Sequence, residues 1–154
     1  MDIFDQKEVL KSFQILVDSR EQATERAEKR YKSFSAPYSR ATLDYGDYTY
    51  NAVLPSGELL FDTNSTIKPL CVVERKMNLD ELAACFTRGR ERFKREFERA
   101  LEQKCRIYLI CENSSWENLL NSKYRSKFNS NAFLASSVAW MIRYNMNVVF
   151  CKEE

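Results

Sequence analysis

The sequence predicts an α/β fold: a mixed sheet flanked by helices, in a single domain. Three observations predict it. Short apolar runs of strand length alternate with longer charged stretches of helical period. At 154 residues the chain has room for one ordinary domain. Only three glycines and three prolines interrupt it, and no low-complexity linker divides it.

The elements follow in order. Phe13–Asp18 (FQILVD) reads as a buried strand, and Glu21–Phe34, charged and free of Gly and Pro, as a helix ending before Pro37. Thr42–Leu54 and Leu59–Asp62, separated by Pro55-Ser56-Gly57, read as a hairpin, and Leu70–Glu74 (LCVVE) as a further strand. Asn78 or Asp80 opens a helix to about Lys104, with Leu82, Phe86, Phe93, Phe97 and Leu101 on one stripe and a break expected at Gly89. Arg106–Cys111 is a strand. Ser114 with Glu117 suggests a capping box opening a short helix over Trp116 and Leu120. A helix from Asn129 or Ser130 runs through Phe133, Leu134, Val138, Met141 and Ile142, and Asn147–Cys151 closes the chain as a strand.

Composition excludes several classes. With 44% apolar and 13% aromatic residues the chain can build a core, so disorder is out. No apolar run approaches the ~20 residues of a membrane span and the first residues, MDIFDQKEVLKSF, lack a signal-peptide pattern, so a cytoplasmic protein is expected, nuclear if eukaryotic. There is no histidine, and five cysteines (Cys71, Cys85, Cys105, Cys111, Cys151) form no C-x-x-C pair. Histidine-based hydrolases, haem proteins and most zinc enzymes are thereby excluded. Hydrolytic chemistry must rest on carboxylates, lysine, arginine or tyrosine, with an oxygen-liganded metal.

Several acids occupy unusual places. Asp18 follows an apolar strand, with Arg20 and Glu21 just after it. Asp47 lies behind Gly46. Glu74 ends the expected strand, and Lys76, two residues on, shares its face. Each acid alone has a plain explanation, since polar strand ends are routine. Two or three carboxylates converging at a sheet end would repel unless a cation lay between them. Mg²⁺ suits such ligands, and an adjacent lysine can hold water or offset charge on a phosphate.

Together these residues carry a recognisable pattern. Val17-Asp18-Ser19-Arg20-Glu21, then Gly46-Asp47, then Glu74-Arg75-Lys76 with Asp80 four residues on, resembles the XPF/Mus-type structure-specific nucleases. Their signature is V-D-x-R-E, G-D and E-R-K-x-x-x-D, within the PD-(D/E)xK, restriction-endonuclease-like class. The resemblance covers roughly Phe13–Cys151 and looks most like small stand-alone forms from phages and prophages. It implies a metal-dependent DNA endonuclease preferring branched, flapped or fork DNA, in repair or recombination. Asp18, Glu21, Asp47, Glu74 and Lys76 would be catalytic. Asp18, Asp47 and Glu74 would hold Mg²⁺ or Mn²⁺, and Lys76 would position or activate the attacking water. Arg20, Arg75 and Asp80 would support the site, Asp80 as a helix N-cap that orients the loop or as a catalytic group. No room remains after Glu154 for the helix-hairpin-helix module of larger members, so one domain spanning residues 1–154 is expected.

Charge distribution points the same way although the net charge is only +2. Arg88, Arg90, Arg92, Lys94 and Arg95 face one acid, Glu91; Lys123, Arg125, Lys127 and Arg143 fall in an acid-free stretch from Asn118 to Cys151. Such clusters either contact phosphates or form a solvated helix face. DNA is the expected partner, with no membrane and no small-molecule cofactor; a homodimer is conceivable through Trp140, Met141 and Tyr144, though core packing is the commoner use of such residues. The competing reading is a non-cutting DNA-binding subunit that recruits or activates another nuclease.

Overall fold

Capping side chains and buried apolar runs set the element boundaries in the computed structural model, which describes residues 3–152. In chain order they are α1 (Ile3–Lys11), β1 (Gln14–Asp18), α2 (Glu25–Lys32), β2 (Tyr38–Ala41), β3 (Tyr48–Asn51), β4 (Cys71–Lys76), α3 (Leu79–Phe86), α4 (Arg90–Glu102), β5 (Arg106–Glu112), α5 (Trp116–Leu120), α6 (Ser130–Arg143) and β6 (Met146–Cys151). The fold class is the expected one, strands of mixed orientation flanked by helices. Two compact units divide the chain, Met1–Lys68 and Pro69–Glu154. Among the described residues no helix is long and apolar enough to cross a membrane.

In the first unit the strand order is β2-β1-β3. β1 runs parallel to β2, with Asp18 opposite Ala41, and antiparallel to β3, with Val17 opposite Tyr48. Leu16 and Val17 are fully buried; Leu16 packs with Ala41, Leu43 and Ile67. α2 begins four residues later than expected. The Glu21 amide donates to the Asp18 carbonyl (3.0 Å), closing a turn, and Thr24 then caps the helix by accepting from the Ala27 amide. The expected hairpin is formed only in part: Val53 bridges Leu59 antiparallel and the Leu60 amide donates to the Ala52 carbonyl (2.9 Å), but no full strand forms over Leu59–Asp62, where the Asn51 side chain takes over the pairing. Asn51 Oδ1 accepts from the Phe61 amide (3.0 Å) and its Nδ2 donates to the Phe61 carbonyl (2.9 Å).

The second unit has the order β4-β5-β6, all parallel, with helices in both connections, as parallel pairing requires. β4 extends to Lys76, two residues beyond its expected end. The long helix breaks at Gly89 as expected. The Gly89 amide donates to the Ala84 carbonyl (2.9 Å), and a Cβ there would lie 3.2 Å from that oxygen. Within α4 the buried stripe runs Phe93, Phe97 and Ala100, and Leu101, one residue further round, is exposed. In α6 the buried stripe is Phe133, Ser137, Trp140 and Tyr144; Val138 and Ile142, expected inside, face outward. Ser115 rather than Ser114 caps α5, accepting from the Asn118 amide.

Candidate active site

Strand alternation builds the centre of the second unit's site. On β4 the residues Val72, Glu74 and Lys76 share one buried face, and Arg75 points to the other. Glu74 is 4% exposed and Lys76 9%. The Lys76 ammonium donates to Glu74 Oε1 (2.5 Å) and stands 5.4 Å from the centre of the Phe93 ring. Glu74 Oε2 is buried with no hydrogen-bond partner. Burial pushes the Glu74 carboxyl above the usual range; the Lys76 charge opposes this, and Glu96 and Glu81 add to it. The pair opens onto a cavity of about 250 Å³ whose wall includes Glu81, Arg88, Arg92 and Glu96. Cys85 also lines it, and burial lifts that thiol to about 11, so it is no nucleophile near neutral pH.

Arg75, on the opposite face, forms a two-pronged ion pair with Glu112, Nε to Oε1 at 2.6 Å and Nη2 to Oε2 at 2.5 Å. It therefore supports the strand pair rather than facing Glu74. Asp80 does not cap α3. Asn78 does, accepting from the Glu81 amide (3.0 Å). Asp80 instead holds a loop: Oδ1 accepts from the amides of Arg125 (2.8 Å) and Ser126 (2.7 Å), and Oδ2 from Arg125 Nε (3.3 Å). Slight burial raises its carboxyl, but these donors outweigh it and hold the group below the usual carboxylate range.

Asp18, Arg20, Glu21 and Asp47 belong to the first unit. Asp18 is 4% exposed and both its oxygens are engaged, Oδ1 by the Leu43 amide (3.1 Å) and Oδ2 by Arg20 Nε (2.6 Å). Arg20 Nη2 closes the ring on the Leu43 carbonyl (2.7 Å). The Asp18 amide donates to the Asp47 carbonyl (2.8 Å), so β1 fixes the backbone that carries Asp47. Glu21 contributes its carbonyl to Arg40, whose Nη2 also reaches the carbonyls of Asp18 and Ser19. Arg40 carries no sequence signal. Gly46, ahead of Asp47, has φ of +77°, a conformation costly for any residue with a Cβ. Gly46→Ala is expected to lower stability by about 1 kcal/mol in urea melts.

The basic candidates separate by helix phase. Arg88 and Arg92 line the Glu74 cavity, whereas Arg90 lies 6.0 Å from the Trp140 ring centre, in a different groove with Arg143. Lys94 pairs with Glu98 at 3.6 Å on the solvated face. In the loop after α5, Lys123, Arg125 and Lys127 are exposed while Tyr124 and Phe128 turn in against Phe133, with ring centres 5.5 and 5.2 Å away. Those aromatics serve packing rather than base stacking. Trp140 and Tyr144 are likewise core residues, 3% and 1% exposed.

Among the described residues no group of three or more His, Cys, Asp or Glu side chains is arranged to hold a metal ion. Mg²⁺ does not need such a cage. It binds one or two carboxylates and completes its shell with waters and substrate phosphates. The unpartnered Glu74 Oε2 is the kind of hard oxygen such an ion takes.

Comparison with known proteins gives a family and a fold. The model of the ERCC4 domain matches residues 17–154. XPF from Aeropyrum pernix aligns with a TM-score of 0.58 at 18% identity, covering 91% of this chain and 54% of that one. XPF from Aeropyrum pernix in complex with DNA aligns with a TM-score of 0.60 at 18% identity, covering 91% and 56%. The chain thus spans about half the length of the solved structures it matches. No curated protein gives a significant match.

Proposed function

Because the chain belongs to the ERCC4 domain family and has the fold of XPF, we propose that it is a Mg²⁺- or Mn²⁺-dependent DNA endonuclease. Its proposed substrates are branched, flapped or fork DNA, and its setting is repair or recombination. One observation carries the reading: a buried glutamate with one free oxygen, ion-paired to a lysine two residues along the same strand face.

Asp47 and Glu74 are the proposed metal ligands. When bound, the ion supplies Lewis-acid charge that activates water and offsets charge on the phosphoryl group. The residues do the rest. Lys76 holds Glu74 Oε1 and favours its charged form, opposing the effect of burial. It also offers N–H groups to the attacking water or to a phosphate oxygen. Asp18 acts through Asp47, whose carbonyl its amide holds. Arg88 and Arg92 bring positive charge to the cavity wall. Self-association is proposed through the outward face of α6, where Val138 is 43% and Ile142 81% exposed.

The test is incubation with end-labelled flap, fork, duplex and single-stranded DNA in Mg²⁺, Mn²⁺ or EDTA. Cleavage of the branched substrates is expected with either metal and none with EDTA. Binding without metal-dependent turnover would instead establish a non-cutting subunit.

A further inference from the structure

A second cleft adjoins the Glu74 cavity. It measures about 300 Å³, is lined by Asp80, Thr87, Arg88, Arg125 and Ser126, and shares Ala84 and Arg88 with the first. Two cations from distant parts of the chain thus meet at one opening. Arg88 comes from the turn between α3 and α4, and Arg125 from the loop after α5.

The loop stands there for a specific reason. Asp80 binds two consecutive amides and the Nε of Arg125, so one carboxylate fixes both the loop backbone and the base of its guanidinium. Only Nε is spent in this way. The four N–H donors of the two terminal nitrogens remain for a ligand, and the Arg125 side chain is 91% exposed. A planar fork held by its inner nitrogen and open at its outer edge matches a phosphate group.

We propose that this cleft is a DNA-backbone subsite, in which Arg88 and Arg125 together hold a phosphate of the strand that runs past the Glu74 cavity. Asp80 is its positioning residue: it touches neither metal nor substrate, and it sets where Arg125 stands. The signature that supplies the Glu74–Lys76 pair therefore also fixes, four residues later, the loop that grips the strand beyond it. The proposal rests on the DNA-cleaving reading only in taking DNA as the ligand.

The test measures binding, so it does not depend on turnover. Fork DNA carrying a fluorophore is titrated in EDTA with Glu74→Gln protein over 50–200 mM salt, by anisotropy. Adding Arg88→Ala or Arg125→Ala should weaken binding roughly fivefold and lower the salt slope by about one. Adding Asp80→Ala gives the decisive sign. It removes a negative charge, which net charge alone would turn into tighter binding; a released Arg125 makes binding weaker, to the level of Arg125→Ala. Hydrogen exchange at the Arg125 and Ser126 amides should speed up in Asp80→Ala without DNA, and Asp80→Asn, whose amide oxygen can still accept, should restore part of the protection. Tighter or unchanged binding by Asp80→Ala, unchanged exchange, or an unchanged salt slope in Arg125→Ala would overturn the proposal, as would failure of the unsubstituted chain to bind DNA. A chain that binds DNA in this pattern but never cuts it would overturn the nuclease assignment and leave the subsite standing.

Discussion

Glu74→Gln and Asp47→Asn are each expected to reduce metal-dependent cleavage by on the order of a thousandfold or more while leaving DNA binding within a few fold. At position 74 the cause is local. Glutamine keeps the size of the side chain and one oxygen to accept from Lys76, so the strand and its packing are retained. It replaces the other oxygen, the buried one with no protein partner, by an amide nitrogen that cannot ligate a hard cation. It also removes the carboxylate from the buried ion pair with Lys76, which is expected to cost up to about 3 kcal/mol. The variant should therefore melt at lower temperature yet remain folded at 25 °C by circular dichroism. Asp47→Asn is made at a position that is only partly buried and in the other unit, so its effect on stability should differ from that of Glu74→Gln. Loss of cleavage in both variants, despite their different stabilities, separates chemistry from folding. Normal rates in both would remove the nuclease reading.

Much of this site is legible in the sequence, for physical reasons that also set the limit. Strands with mostly buried or half-buried residues appear as apolar runs, so β4 and β5 stand out from the residues alone, and β6, paired only with β5, shows as the shorter run NVVFC. Period-two alternation then places Glu74 and Lys76 on one face and Arg75 on the other. Gly89 marks the helix break because a Cβ would crowd the Ala84 carbonyl. What cannot be read is set by partners far away in sequence. Glu112 lies 37 residues from Arg75, and Arg125 lies 45 from Asp80, with no local sign of either pairing. The outward turn of Val138 and Ile142 is hidden as well, because apolar residues occupy most positions of α6 and only packing selects the stripe through Trp140. A glycine also signals a break without giving the helix phase beyond it. That phase, which sends Arg88 and Arg92 to the cavity and Arg90 away from it, depends on the turn geometry.

The largest loss of stability is expected from Trp140→Ala, about 3–5 kcal/mol against a total that for most domains is about 5–15 kcal/mol. The indole is 3% exposed and sits at the centre of an aromatic cluster. It stacks on Phe93 at 5.1 Å between ring centres and an interplanar angle of 19°. It meets Phe86 edge-on at 5.1 Å and Tyr144 at 4.9 Å, and lies 5.4 Å from Phe97. Alanine would leave a void that these four neighbouring rings would have to close. The consequence reaches the chemistry through Phe93, the ring beneath the Lys76 ammonium. Once Phe93 loses the indole behind it, Lys76 loses its fixed seat over the ring, and the Glu74 carboxylate loses a fixed donor. Cleavage by Trp140→Ala should therefore fall below what the folded fraction accounts for, when both are measured at a urea concentration or temperature where the fraction is known. Trp140→Phe, which refills most of the void, should recover most of the stability and the rate. A Trp140→Ala protein whose rate simply tracks its folded fraction would show that the aromatic cluster holds the fold without ordering Lys76.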